Sequence, residues 1–417
     1  MRASNSSLFT LFFSKNSMRS LFKTFQSGSG DCIFFSFEEE EQKFVMMVDC
    51  GKYTADIKDY VERSLNKHID LLIVTHIDND HIDGLIEMMI ETPDVVIDKI
   101  LYNCNQLWDG NTDRHDSDRI NNDIELLRSN LPPRRVLEAG KIKADKAMTL
   151  AEILAGNEQK WKAWEKEAYI TVDTSPISLD EHNERFGKLV ILSPTKEQIQ
   201  KLNQKFNVEY ARLTKHILAE GGTIKGQETL FELVERVAAM KRNNYQIKEA
   251  EKIDAINLPY NDVQRNKAYE FKPMSITDEN EASIALMWLY DNKKVLLMGD
   301  AEPGAVAQRI KEVFGEEKHD VEVLKVSHHG SKHSTSIELL KLIDSEHYFI
   351  TGGNRSDKPS LEAIMKIVNR GDDRTRTLHI NQRNNNIVMA LNSKEARSIR
   401  EQYHFKIVYD NEYRFEY

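Results

Sequence analysis

The chain has 417 residues, more than one average domain, and its 40% hydrophobic and 30% charged residues are typical of a globular protein. A net charge of −10 does not favour a protein that grips long nucleic acid by its phosphates. Cys32, Cys50 and Cys104 are odd in number and lack Cys-x-x-Cys spacing, which argues against a disulfide framework and for a cytoplasmic location. The apolar run from Leu8 to Phe13 is too short to span a bilayer.

The amino-terminal half is predicted to consist of a leader followed by strands and short helices. Residues 1–17 are interpreted as a disordered leader or the product of an early start codon, because they are basic, rich in Ser and Phe, and contain no acid. The predicted strands are Ser20–Cys32, Cys32–Phe37, Phe44–Asp49, Leu71–Thr75 and Val95–Tyr102, with Ala168–Val172 extended. The predicted helices are Ile57–Asn66, one starting at Gly84, Asp116–Asn130 and Thr149–Leu154.

A mainly helical insertion is predicted for residues 196–273. Lys196–Ala219 and Gly226–Ile253 have apolar residues at helical spacing and charges on their other faces, so they must cover something. The insertion is interpreted as a lid, a substrate platform, a homodimer or partner contact, or a passive cap on the sheets.

Two histidines and two carboxylates lie within six residues directly after an apolar run. The run is Leu71–Val74, which has the pattern of a buried strand, and the polar residues are His76, Asp78, Asp80 and His81. Imidazole nitrogens beside carboxylate oxygens suit Zn, Mn or Fe rather than Ca or Mg. A solvated turn, the alternative, needs only one or two Asp or Asn. The spacing therefore predicts a metal site in a tight loop that follows this strand.

The motif resembles the His-x-Asp-x-Asp-His variant of the metallo-β-lactamase metal motif. Further segments follow in the order of that family: Ser27–Ile33, Met46–Gly51, Val190–Pro194, Val295–Glu302 and Leu324–Ser331. The set is most similar to the β-lactamase-like domain of ComEC-type DNA-uptake proteins and their free-standing relatives. The resemblance implies an α/β fold, the metallo-β-lactamase αββα sandwich of two mixed sheets flanked by helices, with a helical insertion. Its first half would be residues 18–195 and its second half, with a carboxyl-terminal extension, residues 274–417.

The resemblance also implies a centre of two divalent metal ions, Zn or Mn. His76 and Asp78 would hold the first ion, Asp80, His81 and His328 the second, and Asp300 would bridge them. The residues expected around these ligands are Asp49, Asn280, Ser283 and Ser331. Besides Asp80, the expected catalytic groups are His329 and Lys358. His329 would donate a proton to the leaving group or simply pack, and Lys358 would meet an anionic substrate as a point charge.

The chain departs from the wider family in one ligand. That family usually has another histidine for the first ion, located between the motif and the bridging Asp. Between Gly84 and Asp300 only His115, His182 and His216 occur, and none follows a predicted strand. Surface positions are therefore expected for these three residues.

Three functions from different classes are consistent with these residues. The favoured one is a metal-dependent hydrolase, a phosphodiesterase or nuclease that uses a hydroxide activated by two metals, with a nucleic acid or nucleotide as substrate. The second is hydrolysis of an uncharged ester, thioester or lactam. The third is a scaffold or partner protein without turnover. Burying acids and imidazoles that bind no metal is costly, which argues against this third function.

Overall fold

The computed structural model describes residues 18–103, 150, 153–154, 160–163, 169–180, 185–205, 276–352 and 358–416. The strands are numbered in chain order. Eight of them form the first sheet, in the order β18-β1-β2-β3-β5-β6-β4, with β7 paired to β6. Their bounds are Arg19–Thr24 (β1), Ile33–Glu39 (β2), Gln42–Val48 (β3), His68–Ile69 (β4), Leu71–Val74 (β5), Val96–Tyr102 (β6), Trp161–Ala163 (β7) and Glu412–Glu416 (β18).

The second sheet also has eight strands, in the order β17-β16-β15-β13-β11-β10-β9-β8. Their bounds are Ile177–Ser178 (β8), Lys188–Ser193 (β9), Ala285–Tyr290 (β10), Lys293–Leu297 (β11), Val323–Lys325 (β13), His347–Ile350 (β15), Arg376–Ile380 (β16) and Phe405–Val408 (β17). A separate parallel pair consists of His319–Val321 (β12) and Ile343–Ser345 (β14). Both large sheets are mixed: β1, β2 and β3 are antiparallel, whereas β3, β5 and β6 are parallel, as are β11, β13, β15, β16 and β17.

Helices cover the outer faces of both sheets. Their bounds are Ala55–Asp59 (α1, continued as a π-helix over Tyr60–Ser64), Asn79–Glu91 (α2), Asp278–Glu281 (α3), Pro303–Phe314 (α4), Ile337–Leu342 (α5), Leu361–Val368 (α6), Asn386–Leu391 (α7) and Arg397–Gln402 (α8), with a 3₁₀ turn at Ser327–Gly330. Within the described ranges, no helix combines the length and the apolar character that crossing a bilayer requires.

Three apolar cores define four layers. The central core joins side chains of both sheets, such as Phe35 and Ile73 from the first with Trp288 and Phe349 from the second. A second core lies between the first sheet and helices α1 and α2, and a third lies between the second sheet and helices α4 to α8. The layers are thus helix, sheet, sheet, helix, and the predicted αββα fold class is confirmed.

Several element boundaries differ from those predicted. Strand β1 ends at Thr24, because a turn around Gly28 and Gly30 separates it from β2. Helix α2 begins at Asn79, five residues before the predicted start, since Asp and Asn are favoured at helix amino termini as well as in turns. Most of the predicted insertion lies outside the described residues, as do the predicted leader and the predicted helix Asp116–Asn130. Residues 196–205 of the insertion are helical, as expected.

Trp288 provides a test of the sheet-to-sheet core. Its indole is fully buried, stacks on Phe37 at 4.9 Å between centroids and donates a hydrogen bond to the Phe186 carbonyl at 2.7 Å. We expect Trp288→Ala to lower the free energy of unfolding by about 3–5 kcal/mol, because it leaves a cavity and an unpaired carbonyl. Met389→Ala, at a side chain that is 53% exposed, should change stability by less than about 0.5 kcal/mol. Denaturant titration of both variants measures the difference, and equal stabilities would contradict this placement of Trp288.

Candidate metal centre

The motif residues gather where parallel strands of the two sheets end. His76 follows β5, Asp300 follows β11, and His328 and His329 follow β13. Strand β5 is parallel to β3, and β11 is parallel to β13, so the carboxyl ends of each pair lie at one edge. A hydrogen bond from the Ile284 amide to the Thr75 carbonyl, 2.8 Å long, ties the two edges together. The site is therefore assembled from both halves of the fold.

The start of α2 divides the contiguous motif into two parts. Asp78 occupies the N-cap position but makes no capping hydrogen bond with its side chain, and Asp80 and His81 lie in the first helical turn. The His81 amide donates to the Asp78 carbonyl at 2.8 Å. The motif is thus a strand-to-helix junction rather than the predicted loop, and its side chains take their directions from the helix.

A glycine makes room for this junction. A Cβ atom built on Gly30 would lie 1.4 Å from the Asp80 carbonyl oxygen, an impossible contact with backbone. The amide of the next residue, Asp31, donates to that same carbonyl at 3.1 Å. Only glycine therefore allows the turn after β1 to pack against the helix start that carries Asp80.

One group of ligand atoms contains Asp80, His81 and His329. Nε2 of His329 lies 3.4 Å from Oδ2 of Asp80, and Nε2 of His81 lies 3.5 Å from Oδ1 of Asp300. The ligand atoms of Asp80, His81 and His329 all lie within 4.8 Å of one another. Two ligands bound to one tetrahedral ion at ordinary bond lengths are about 3.4 Å apart, so these separations suit one metal ion.

A second group contains His76, His81 and Asp300, and its ligand atoms also lie within 4.8 Å of one another. Nε2 of His76 is 3.9 Å from Oδ2 of Asp78 and 3.9 Å from Oδ2 of Asp300. Asp300 thus faces His81 with one oxygen and His76 with the other. This is the geometry expected of a carboxylate that bridges two ions.

The ring nitrogens of this cluster test whether a metal fits. Nε2 of His76, of His81 and of His329 is buried and makes no hydrogen bond with the residues that the structure describes. Each instead faces a carboxylate oxygen 3.4 to 3.9 Å away, which allows attraction between charges and leaves a separation that suits a metal ion bound by both groups. Nitrogen and oxygen donors together suit Zn, Mn or Fe. The residues present therefore fit a metal centre.

The opposite nitrogens of these rings are held by neighbours. Asp49 accepts from Nδ1 of His81 at 2.8 Å and from the amide and hydroxyl of Thr75 at 2.7 and 2.6 Å. Ser283 Oγ accepts a hydrogen bond from the Asp300 amide at 3.0 Å and lies 3.4 Å from Nδ1 of His76. Asp49 and Ser283 thus both contact imidazole rings of the cluster. Such contacts fix the orientation of a ligating imidazole.

The two successive histidines point in different directions. His328 and His329 both adopt left-handed backbone, with φ of 50° and 56°, and their rings are inclined at 66°. His329 is buried, and its Nδ1 lies 3.1 Å from the Thr351 carbonyl. His328 is partly exposed, with Nε2 3.6 Å from Oδ2 of Asp300. The second ion was expected at His328; both rings approach Asp300, but the ligand-like group that contains Asp80 and His81 includes His329, whose ring is the more deeply buried of the two.

Two of the remaining predicted residues, Asn280 and Lys358, lie near His328. Asn280 Nδ2 and Ser334 Oγ approach its Nδ1 at 3.3 and 3.2 Å, and Lys358 is buried nearby. Ser331 does not reach the ligands, since its Oγ accepts the His333 amide at 3.3 Å and so shapes the turn. His115, His182 and His216 lie outside the described residues.

Sequence reasoning missed two buried residues of the centre, Asp31 and Lys325. They form an ion pair, and Asp31 Oδ1 also lies 3.3 Å from Nδ1 of His329. The signals were visible as an aspartate after the Gly28-x-Gly30 turn and a lysine ending an otherwise apolar strand. A charged residue at a buried strand end is rare without a partner.

Buried charges shift several pKa values in the cluster. Burial acts to lower the pKa of His81 and of His329, but nearby Asp300, together with Asp49 for His81 and Asp31 for His329, raises both above the ordinary value. Burial acts to raise the pKa of Asp300, and the surrounding histidines hold it well below its usual range. Burial lowers the pKa of His328 to about 3, and the charge of Lys358 acts in the same direction.

Comparisons with known proteins give little beyond these residues. No protein-family model and no curated protein matches the chain. Among solved structures it is similar to a mutant of the CmlA β-hydroxylase, with a TM-score of 0.34 and 8% identity over 97% of this chain and 54% of that one. It is also similar to CmlA described as a diiron β-hydroxylase from Streptomyces venezuelae, with a TM-score of 0.33 and 8% identity over 95% and 54%. The chain spans about half the length of these structures. Likeness at this level says nothing about activity.

Metal binding should release protons and weaken as pH falls. Without metal, the raised pKa values favour the protonated forms of His81 and His329. Their protonation contributes stability that is fully present below the unfolded pKa of about 6.5, and this contribution is lost as pH rises through the folded pKa values. A metal ion needs both rings deprotonated, so we expect its affinity to fall about tenfold per pH unit for each proton displaced. Calorimetric titration with Mn²⁺ or Zn²⁺ in buffers of different ionisation heat counts these protons. Affinity independent of pH would contradict the role of the two histidines as ligands.

Proposed function

We propose that this chain is a metal-dependent phosphodiesterase. The observation that carries the proposal is the set of three buried Nε2 atoms, of His76, His81 and His329, that lack hydrogen bonds within the described residues. They surround Asp300 at separations that suit metal ligation. The resemblance of the motifs to ComEC-type proteins supports nucleic acid or a nucleotide as the substrate class.

Two divalent ions in this centre would supply Lewis acidity and lower the pKa of a bound water. His76 and Asp78 would hold one, and Asp80, His81 and His329 the other, with Asp300 between them. Asp49 accepts a hydrogen bond from His81 and so keeps the proton on Nδ1 of that ring. The ligand nitrogen Nε2 is thereby left free to bind.

In this proposal, His328 would act on the substrate rather than on the second ion. Both Asn280 Nδ2 and Ser334 Oγ can donate to its Nδ1, which leaves the proton on Nε2. Its lowered pKa keeps the ring neutral near pH 7, and a neutral imidazole donates a hydrogen bond to developing negative charge. His328 would therefore stabilise charge on the departing oxygen, with Lys358 supplying a positive charge nearby. In this proposal His328, rather than His329, acts on the leaving group.

The overall charge favours a small substrate. A net charge of −10 opposes the long-range attraction of duplex DNA, whereas a short single strand or a nucleotide needs only local contacts. Lys358 and the metal ions would provide these. We therefore infer that single-stranded or nucleotide phosphodiesters are cleaved in preference to duplex DNA.

Turnover of bis-p-nitrophenyl phosphate and of labelled single- and double-stranded DNA tests the proposal. Mn, Zn and Fe are supplied separately to the purified chain. We expect metal-dependent cleavage that Asp80→Ala abolishes, because that substitution removes a ligand of the second ion. Asp59→Ala, at an exposed residue paired with Arg63, serves as the matched control and should retain full activity. Stoichiometric metal without phosphodiester cleavage would contradict the proposal and favour an ester, thioester or lactam as substrate, and a chain that binds no metal would favour the scaffold.

The neighbouring histidines should behave differently when substituted. His328→Gln should retain bound metal but lose on the order of 10²–10³-fold in kcat, since it removes one hydrogen-bond donor. The loss should be larger for a nucleotide leaving group than for p-nitrophenolate, which departs easily. His329→Gln should instead lose metal, measured by elemental analysis after dialysis. Loss of metal from His328→Gln with retention in His329→Gln would reverse the two assignments.

A further inference from the structure

A lysine is buried directly beside the ligand cluster. Lys325 ends β13 and is 1% exposed, and its Nζ donates to the Gly299 carbonyl at 2.9 Å. The same Nζ forms an ion pair with Asp31 and lies 3.8 Å from Oδ1 of Asp300. Burying an ammonium ion is costly unless opposite charge and hydrogen bonds surround it. The surroundings of Lys325 meet that condition, and the metal-binding carboxylate Asp300 is part of them.

Asp31 extends this contact to the second ion's histidine. Its Oδ1 lies 3.3 Å from Nδ1 of His329 and also accepts from the Thr351 hydroxyl. Its amide donates to the Asp80 carbonyl at 3.1 Å. Asp31 thus contacts the backbone of one ligand residue and the ring of another, and Lys325 neutralises its charge.

We propose that Lys325 is a positioning residue that holds Asp300 directly, and His329 through Asp31, where they receive the second metal ion. The inference rests on the metal centre of the proposed function but not on any particular substrate. Two contacts, rather than one, distinguish this role from simple neutralisation of Asp31.

The direction in which metal affinity changes when Lys325 is replaced distinguishes a positioning role from a purely electrostatic one. A fixed ammonium repels a divalent cation, so Coulomb's law alone predicts that removing it strengthens metal binding. Loss of positioning has the opposite effect, because Asp300 loses its lysine contact and the buried carboxylate of Asp31 loses its ion-pair partner. We expect Lys325→Met to bind Co²⁺ at least about tenfold more weakly than the unsubstituted chain, the scale seen when contacts behind metal ligands are lost.

The experiment is a Co²⁺ titration followed by visible absorption, which reports both affinity and ligand geometry without turnover. The variants are Lys325→Met, Asp31→Asn and the double variant, which removes both charges together and guards against misfolding of the single variants. Lys366→Met is the matched control. Lys366 is also buried, but its Nζ donates a hydrogen bond to the Thr335 carbonyl at 2.8 Å, and it is not part of the proposed metal centre. Circular dichroism and thermal melts report folding.

The outcomes discriminate clearly. We expect the double variant to fold and still to bind Co²⁺ at least about tenfold more weakly with an altered spectrum, because Asp300 still lacks its lysine. Lys366→Met should bind like the unsubstituted chain. Unchanged or tighter binding in Lys325→Met, or full recovery in the double variant, would overturn the positioning role alone. An unsubstituted chain that binds no Co²⁺ would overturn the metal centre itself.

Discussion

The site depends on one carboxylate that residues from both sheets share. Nε2 of His76, His81, His328 and His329 and Nζ of Lys325 all lie between 3.5 and 3.9 Å from an oxygen of Asp300. His76 and His81 belong to the first half of the fold, and the others to the second. Small displacements between the sheets would therefore change every one of these separations, and the apolar core between the sheets is what fixes them. Packing far from the site thus determines its geometry.

The amount that sequence could predict differs between the fold and the site. The strand Leu71–Val74 followed by His76, Asp78, Asp80 and His81 is a local pattern; its family resemblance, with that of the later motifs, led to the αββα fold, which is confirmed. The structure brings His76, Asp80 and His81 into groups of ligand-like atoms. The start of α2 was misplaced because Asp and Asn serve both turns and helix starts. Which of two adjacent histidines is the more deeply buried depends on left-handed backbone at both, and no spacing rule predicts that conformation.

Asp31 and Lys325 show why the rest escaped prediction. Each is a single charged residue near an apolar strand, and a surface position is the ordinary reading of such a residue. They form an ion pair only when the first and second sheets pack, because packing brings together residues that are far apart in the chain. Ion pairs between residues that are distant in the chain produce no periodic pattern in the sequence. A contiguous motif therefore predicts the ligand residues but not the residues that position them.

Protonation connects the geometry to chemistry. In the metal-free chain, the raised pKa values of His81 and His329 allow protons to offset the buried carboxylates Asp31, Asp49 and Asp300. Such a centre needs little rearrangement to receive a metal ion, since the ligand atoms already lie within 4.8 Å of one another. A purely structural cluster would gain from closing these gaps with hydrogen bonds, whereas here three buried Nε2 atoms lack them in the described part of the chain. That pattern favours a site in which a bound metal ion displaces protons from the histidines. It therefore also favours the catalytic interpretation over the scaffold.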